Sequence, residues 1–265
     1  MINNNLYNEE ERIIVDFLKK RNLNKANSVS KKVKPRNSFY TRKVKRCLDF
    51  IMSFCGVIAL IPVYIGLFFI VLYDVGFPVI YRQTRVGRNG KQFELLKFRS
   101  MNEKKDKNGD LEPGNMRVTR IGHFLRKYSL DELPSLFNVL KGEMSIIGPR
   151  PLPVFFYDRM SNRHKMRSFV RPGLDCPIVK YTDGELYQRK FENDIWYIEN
   201  QSLYTDTRLL FLLIKKVFDS NLRDNNAKSG DFFVGYDDTG KAIYKGLAKE
   251  IFKNQLKIEI EEGEK

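Results

Sequence analysis

The chain has 265 residues, 42% of them hydrophobic, which is enough to bury the core of one large domain or two small ones. Its formal net charge is +15, and residues 1–46 alone carry 13 Lys/Arg against 4 Asp/Glu. Three cysteines without a CxxC spacing and only two histidines argue against a disulfide framework, a zinc site or a histidine-based triad. We therefore expect any nucleophile, acid or base to be a carboxylate or a lysine.

The basic N-terminal arm, residues 1–44, comes first along the chain. Its charge suits an anionic partner, either nucleic acid or the anionic lipid of a cytoplasmic leaflet, and the apolar segment that follows favours lipid. A solvated, partly disordered tail that serves only solubility explains the composition equally well. Both interpretations stay open.

An uncharged apolar segment follows, Phe50 to Tyr73, with Pro62 near its centre. As one straight helix it would extend roughly 36 Å, and the hydrocarbon core of a bilayer is about 30 Å thick. Both flanks are basic, and the positive-inside rule favours keeping both on the cytoplasmic side. Pro62 removes one helical donor and bends the helix, so that two half-helices enter and return on one face. A kinked spanning helix is equally compatible with these residues.

Two strand-like stretches, PVIYRQTRV and KQFELLKF, flank Asn89-Gly90, which predicts a β-hairpin. Leucine and phenylalanine at helical spacing then precede Gly142, and they predict a short helix that begins near Asp131. The later apolar stretch Leu209 to Ile214 suits a membrane interface and a protein core equally. From about Asp219 the chain turns polar, so we expect a loosely attached tail.

Asp131 and Glu132 are adjacent carboxylates at the expected helix start, where free N–H groups and the helix dipole favour ionised carboxylates and bind phosphate. Ser129 and Glu132 also match a capping box, in which they would serve only the helix start. Arginines near the pair, two of them in turns of glycine and proline, suit bidentate recognition of phosphate. They are Arg126, Arg150 and Arg171.

Three segments together resemble the bacterial sugar transferases, the monotopic phosphoglycosyl transferases that act on polyprenyl phosphate. They are KRCLDFIMSFCGVIALIPVYIGLFFIVLYDVGFPVIYRQTRVGRNGKQFELLKFRSM, SLDELPSLFNVLKGEMSIIGPRPL and RPG, in this order, and the resemblance runs from about Lys45 to Phe218. It implies that a sugar 1-phosphate passes from a UDP-sugar to undecaprenyl phosphate with release of UMP. This reaction would initiate the synthesis of a surface polysaccharide or glycoconjugate.

The resemblance also implies roles for individual residues. Asp131 would attack the sugar-bearing phosphate and form a covalent aspartyl phosphosugar, as in other covalent catalysis. Glu132 would help to bind Mg²⁺ or manage protons, and Asp131 and Glu132 would be the metal ligands. The implied substrate- and phosphate-binding residues are Arg126, Arg150, Arg171, Lys97 and Arg99, the last two facing the nucleotide or the hairpin surface.

The expected fold class is α+β and mostly helical. A proline-broken re-entrant membrane helix, a small β-hairpin and interfacial amphipathic helices would surround a compact catalytic domain. The expected boundaries are a basic arm at 1–44, the re-entrant helix at 45–74, the catalytic domain at 75–220 and a polar tail at 221–265. Pro62 would be the membrane hinge; the family usually places a serine before this proline, where this chain has Ile61.

The expected partners are a UDP-sugar donor, a polyprenyl phosphate acceptor, membrane lipids and downstream glycosyltransferases, and no nucleic acid. The expected location is the cytoplasmic face of the bacterial inner membrane. The alternative function is a catalytically silent membrane adaptor of a glycan-assembly complex, and the intact pair of Asp131 and Glu132 argues against it. The residues do not choose among the donor sugars.

Overall fold

The computed structural model describes residues 9–107, 109–112, 114–179, 186–218, 233–248 and 250–252. Most of these residues are helical. The α-helices are α1 (Glu9–Ser28), α2 (Lys45–Ala59), α3 (Ile61–Val75), α4 (Gly114–Arg117), α5 (Arg120–Lys127), α6 (Ser135–Lys141), α7 (Val154–Tyr157), α8 (Asn162–Lys165), α9 (Leu186–Asn200) and α10 (Leu203–Phe218). A π-helical turn, Tyr40–Val44, leads directly into α2.

The strands form small two-stranded sheets. They are β1 (Ile80–Val86), β2 (Gln92–Phe98), β3 (Ser145–Ile147), β4 (Gly173–Asp175), β5 (Phe233–Tyr236) and β6 (Ala242–Tyr244). β1 pairs with β2 and β5 with β6 in antiparallel orientation, whereas β3 and β4 are parallel. Asn89 (φ 55°) and Gly90 (φ 77°) form the turn between β1 and β2, which confirms the predicted hairpin. The mostly helical α+β class is likewise confirmed.

The apolar segment is broken in two at the predicted position. Within the described residues no single helix has the length and hydropathy of a membrane span, but helices 40–59 and 61–75 meet at an angle of 64°. Only Leu60 separates them, and Pro62 lies in the first turn of α3, where its missing N–H is tolerated. The backbone N–H of Tyr64 donates to the carbonyl oxygen of Leu60, and its hydroxyl donates to the carbonyl oxygen of Leu133, just before α6. These bonds fix the bend against the rest of the folded protein.

Both ends of the bent helix pair make hydrogen bonds to the rest of the folded protein. At the start of α2, Arg46 donates to the carbonyl oxygens of Val139 and Leu140 at 2.6 and 2.7 Å. At the end of α3, the hydroxyl of Thr119 donates to the carboxylate of Asp74. The inner face of α3 packs on the core, whereas a broad outer face is apolar and solvent-exposed. Exposed apolar side chains of the bent pair include Ile51 and Phe54 of α2 and Ile65 and Phe69 of α3, each at least half exposed.

The helix α10 has one buried face and one exposed apolar face. Leu209 is fully buried in the main hydrophobic core. Other apolar side chains of the same helix are exposed, among them Tyr204 at 77% and Phe211 at 69%. One side of α10 therefore builds the core, and the other presents an apolar surface.

The helix α1 and the β5–β6 hairpin pack together, which the sequence did not predict. Leu18 of α1 is buried in one cluster with Val234 and Ile243 of the β5–β6 hairpin. Asn22 donates a 2.9 Å hydrogen bond to the carbonyl oxygen of Tyr236. The expectation of a loosely attached tail is therefore wrong for residues 233–248, because alternate apolar residues of this short hairpin find a buried partner surface on α1. We call α1 and β5–β6 the terminal module.

Candidate active site

The adjacent carboxylates lie in a 3₁₀ turn, Leu130–Glu132, that precedes α6. We expected the helix to begin near Asp131, but the α-helix begins only at Ser135, just after Pro134. Ser129 has a left-handed backbone (φ 56°) and makes no side-chain cap, so the capping box does not form. The left-handed residue turns the chain sharply, and Glu132 instead donates its N–H to the Ser129 carbonyl oxygen at 3.2 Å.

Two buried polar side chains of α6 fix this turn against β2. The amide of Asn138 accepts the Leu96 N–H at 3.0 Å and donates to the Glu94 carbonyl oxygen at 2.7 Å. Ser135 donates to the carbonyl oxygen of Leu96 at 2.9 Å. These bonds satisfy the open edge of β2 and hold the carboxylate turn opposite Lys97. Ser135 and Asn138 are positioning residues that the sequence analysis did not single out, although both lie in the motif quoted for the family.

Glu132 is held between two cations. Lys97 Nζ lies 2.6 Å from Glu132 Oε1, and Arg150 donates through both Nη atoms, at 3.4 Å from Nη1 to Oε2. Burial alone would raise the pKa of Glu132, but the charges of Arg150 and Lys97 outweigh it and lower the pKa to about 2. Glu132 is therefore ionised at neutral pH, and its charge is neutralised within the site.

Asp131 is buried, at 7% exposure, and its carboxylate oxygens are free to react. Its nearest cation is Lys97, 3.9 Å from Oδ2, and among the described residues no donor makes a hydrogen bond to it. Burial raises the pKa of Asp131 above its usual value, Glu132 raises it further, and Lys97, Arg126 and Arg150 oppose the rise. A desolvated carboxylate surrounded by cations is a suitable nucleophile toward a phosphate group.

Arg126 approaches this site from α5. Its Nε donates to the hydroxyl of Ser100 at 2.9 Å, and its charge acts on Asp131. The close approach depends on Gly122, because a Cβ atom there would lie 2.1 Å from the carbonyl oxygen of Ser100. The expected proximity of Arg126 to the carboxylates is thus present.

Arg150 is positioned by the contact between two glycine-containing turns. The N–H of Gly173 donates to the carbonyl oxygen of Pro149 at 3.0 Å, and a Cβ atom on Gly173 would lie 2.1 Å from the nitrogen of Gly148. Arg167 donates to the carbonyl oxygen of Arg150 at 2.9 Å. The GPR and RPG motifs therefore meet directly, and their glycines permit a backbone approach that any side chain would block.

Arg167 and Asp194 form a buried ion pair, which holds Arg167 where it contacts the backbone of Arg150. Arg167 Nη2 lies 2.7 Å from Asp194 Oδ2, and both side chains are less than a tenth exposed. Burial raises the pKa of Asp194, although the charge of Arg167 opposes the rise. Neither residue belongs to a motif and their pairing is long-range, so the sequence did not predict it.

Arg171 and Arg99 both donate to backbone carbonyl oxygens. Arg171 Nε donates to the carbonyl oxygen of Gly142 at 2.8 Å, so it caps the C-terminal end of α6, the end opposite the carboxylates. Arg99 donates to the carbonyl oxygens of Phe77 and Met101 at the base of the hairpin. Arg99 thus has one of its two expected placements, at the hairpin, and the expected phosphate contacts of both arginines stay a prediction.

The residues fit a Mg²⁺ ion in part. Among the described residues no group of three or more His, Cys, Asp or Glu side chains is arranged to hold a metal. Glu132 would have to release a cation in order to bind a metal ion, whereas the oxygens of Asp131 are open. Mg²⁺ commonly binds one or two carboxylates together with substrate phosphates, so Asp131 fits that mode.

Comparison with known proteins gives a consistent result. A family model described as bacterial sugar transferase matches residues 40–220. EpsL of Bacillus subtilis, an uncharacterized sugar transferase, is 37% identical over 171 residues, which are 64% of this chain and 85% of that protein. The terminal module lies outside the matched range.

Two named transferases are also similar. The UDP-N-acetylgalactosamine-undecaprenyl-phosphate N-acetylgalactosaminephosphotransferase of Aeromonas hydrophila is 34% identical over 66% of this chain and 43% of its own length. The UDP-glucose:undecaprenyl-phosphate glucose-1-phosphate transferase of Klebsiella pneumoniae is 36% identical over 66% of this chain and 40% of its own length. The chain thus spans less than half of either relative.

Proposed function

The chain belongs to the bacterial sugar transferase family, and on that basis we propose that it transfers a sugar 1-phosphate from a UDP-sugar to undecaprenyl phosphate, releasing UMP. The named relatives support this reaction class through the UDP-sugar and undecaprenyl phosphate in their names. The observation that carries the proposal is the open, buried carboxylate of Asp131, surrounded by Lys97, Arg126 and Arg150.

The reaction proceeds in two displacements at phosphorus. In the first, an oxygen of Asp131 attacks the sugar-bearing phosphate, a new O–P bond forms, and the diphosphate bridge breaks with its electron pair leaving on UMP. In the second, a phosphate oxygen of undecaprenyl phosphate attacks the aspartyl phosphosugar and releases the carboxylate of Asp131. The product is the undecaprenyl diphosphate sugar, and the enzyme returns to its starting form.

The neighbouring charges serve these two steps. Lys97 and Arg150 stand beside Asp131 and stabilise the negative charge on the transferring phosphate, and Arg126 adds to the positive potential. Glu132 holds Lys97 and Arg150 in place and remains ionised throughout. When bound at Asp131, Mg²⁺ would supply further neutralisation of the diphosphate charge.

We further propose that the bent helix pair is a re-entrant anchor with Pro62 as its hinge. Support comes from the attachment of both of its ends to one folded body, through Arg46 at the start and Asp74 at the end. The exposed apolar surfaces of α2, α3 and α10 suit lipid contact. This arrangement brings a cytosolic nucleotide sugar and a membrane lipid phosphate to one site, at the cytoplasmic face of the bacterial inner membrane.

The test uses purified full-length protein in lipid nanodiscs with undecaprenyl phosphate, Mg²⁺ and a panel of UDP-sugars. We expect UMP release with at least one donor and, without the acceptor, a phosphosugar adduct on the protein detectable by mass spectrometry. D131N should abolish both, whereas D158N, at an exposed aspartate, should retain them. The absence of UMP release with every donor would refute the proposed function and favour a silent adaptor.

A further inference from the structure

Arg85 on β1 makes no salt bridge with any acidic side chain among the described residues. Its Nη2 donates to the Gln83 side chain and its Nη1 makes a long contact to the Pro151 carbonyl oxygen, 3.4 Å away. Its Nε atom is buried and makes no hydrogen bond to any described residue. Burial and then the charge of Arg150 lower the pKa of Arg85 to about 10, although Tyr81 and the charge of Glu132 oppose the decrease. An incompletely satisfied cation beside a second cation is an electrostatic arrangement that an anion would relieve.

A cavity of about 640 Å³ lies beside these two arginines. Arg85 and Arg150 line it, and Arg150 also contacts Glu132, so the cavity adjoins the carboxylate turn. The lining also includes the aromatic rings of Phe156 and Tyr187. The lining combines apolar side chains with charged ones, and the charged ones include Asp175 and Asp194 as well as the arginines. A volume of this size is typical of a site for a small organic ligand.

The aromatic wall of this cavity is held by the terminal module. Phe156 packs edge to face on Phe233 of β5, with ring centroids 5.9 Å apart, and Tyr187 lies 6.0 Å from the same ring. The N–H of Ala242 on β6 donates to the side chain of Gln188 on α9 at 2.8 Å. The cavity wall is therefore built from contacts that reach beyond the range matched by the family model.

We propose that Arg85, together with Arg150, binds the diphosphate of the nucleotide-sugar donor at the mouth of this cavity, with the nucleoside against its aromatic wall. The inference rests on the proposed function and adds to it a binding residue and a donor cavity. It explains why Arg85 makes no salt bridge with a described residue, because the donor phosphates supply the anion. It also places the diphosphate against Arg150, whose charge acts on the carboxylate of Asp131.

The test is a titration of full-length protein with UDP, alongside KM for the best UDP-sugar. We expect R85Q to weaken UDP binding and raise KM by about 10- to 100-fold, the range for a lost charge-assisted contact, with R85K intermediate. I178W introduces a large ring into the cavity lining without changing any charge, and it should also weaken UDP binding. The matched control is R82Q, since Arg82 lies on the same strand, is exposed and pairs with Glu94.

The outcomes separate this inference from the proposed function, because UDP binding needs no turnover. Unchanged UDP affinity and KM in both R85Q and I178W would overturn the inference and leave the transfer reaction intact. An absence of UDP binding by the wild type would also overturn it. UDP binding that depends on Arg85, in a protein that releases no UMP, would support the cavity and refute the reaction. A loss of thermal stability in R85Q with unchanged KM would assign Arg85 a structural role and count against the inference.

Discussion

Lys97 donates a 2.6 Å hydrogen bond to Oε1 of Glu132. The pair joins β2 to the carboxylate turn and places opposite charges beside Asp131, where Lys97 lowers the pKa of Asp131 and Glu132 raises it. Because the nucleophile must be ionised, activity should fall as the pH drops through this pKa. K97M should therefore shift the acidic limb of the pH–rate profile to higher pH, and E132Q should shift it to lower pH.

This prediction is checked by UMP release over a range of pH, with each variant normalised to its own plateau. Both variants should also lose maximal rate, since each leaves a charged group without its partner. The opposite directions are the diagnostic feature. Shifts in the same direction would contradict the electrostatic account.

D131N should lose activity and gain thermal stability. Loss of the nucleophile is expected to reduce UMP release by at least ~10³-fold. The raised pKa means that the folded state disfavours the ionised carboxylate, so its charge at neutral pH costs stability, and a neutral amide removes that cost. The measurement is the midpoint of thermal unfolding at pH 7 and at acidic pH. The gain should shrink at low pH, where wild-type Asp131 becomes protonated; a lower midpoint at pH 7 would contradict the prediction.

G173A should destabilise the protein and weaken donor binding. Its Cβ atom would lie 2.1 Å from the backbone nitrogen of Gly148, so the two turns must separate and Arg150 must move. We expect a loss of about 2 kcal/mol or more in the free energy of unfolding, with a raised KM. G66A is the control, because a Cβ atom on Gly66 meets nothing within 4 Å. Equal stability of the two variants would argue against the close contact.

Y236F tests the attachment of the terminal module. The hydroxyl of Tyr236 accepts the Ser161 N–H at 2.8 Å and lies 2.9 Å from Nδ1 of His164. Its removal leaves buried polar groups without a partner and should cost about 1–3 kcal/mol. Y204F removes the hydroxyl of an exposed tyrosine and should be neutral. Chemical denaturation measures both, and a neutral Y236F would indicate that the module is loosely held.

The re-entrant topology predicts that both flanks of the bent pair are inaccessible from outside the cell. Single cysteines at Arg42 and Arg88, both exposed positions, are introduced after Cys47, Cys55 and Cys176 have been replaced by alanine. An impermeant maleimide should label neither position in intact cells and both after permeabilisation. Labelling of either position in intact cells would contradict the re-entrant arrangement.

Local sequence patterns predicted the local features well. Asn89-Gly90 predicted the hairpin, and Pro62 within an uncharged run predicted the broken helix, because turn chemistry and the loss of one helical donor act within a few residues. The start of α6 was predicted too early, since the left-handed Ser129 and the 3₁₀ turn replaced a regular first turn. The segments beyond the motifs offered no comparable signal.

By itself, the sequence determined an apolar segment bent between two basic flanks, a hairpin, and a carboxylate pair in the company of arginines. Only the tertiary structure decided which cations serve that pair: Lys97 and Arg150 contact Glu132, whereas Arg171 caps the far end of α6. Ion-pair partners and buried contacts form between residues distant in the chain, so their choice depends on how the elements pack. The same reason explains why the terminal module was missed.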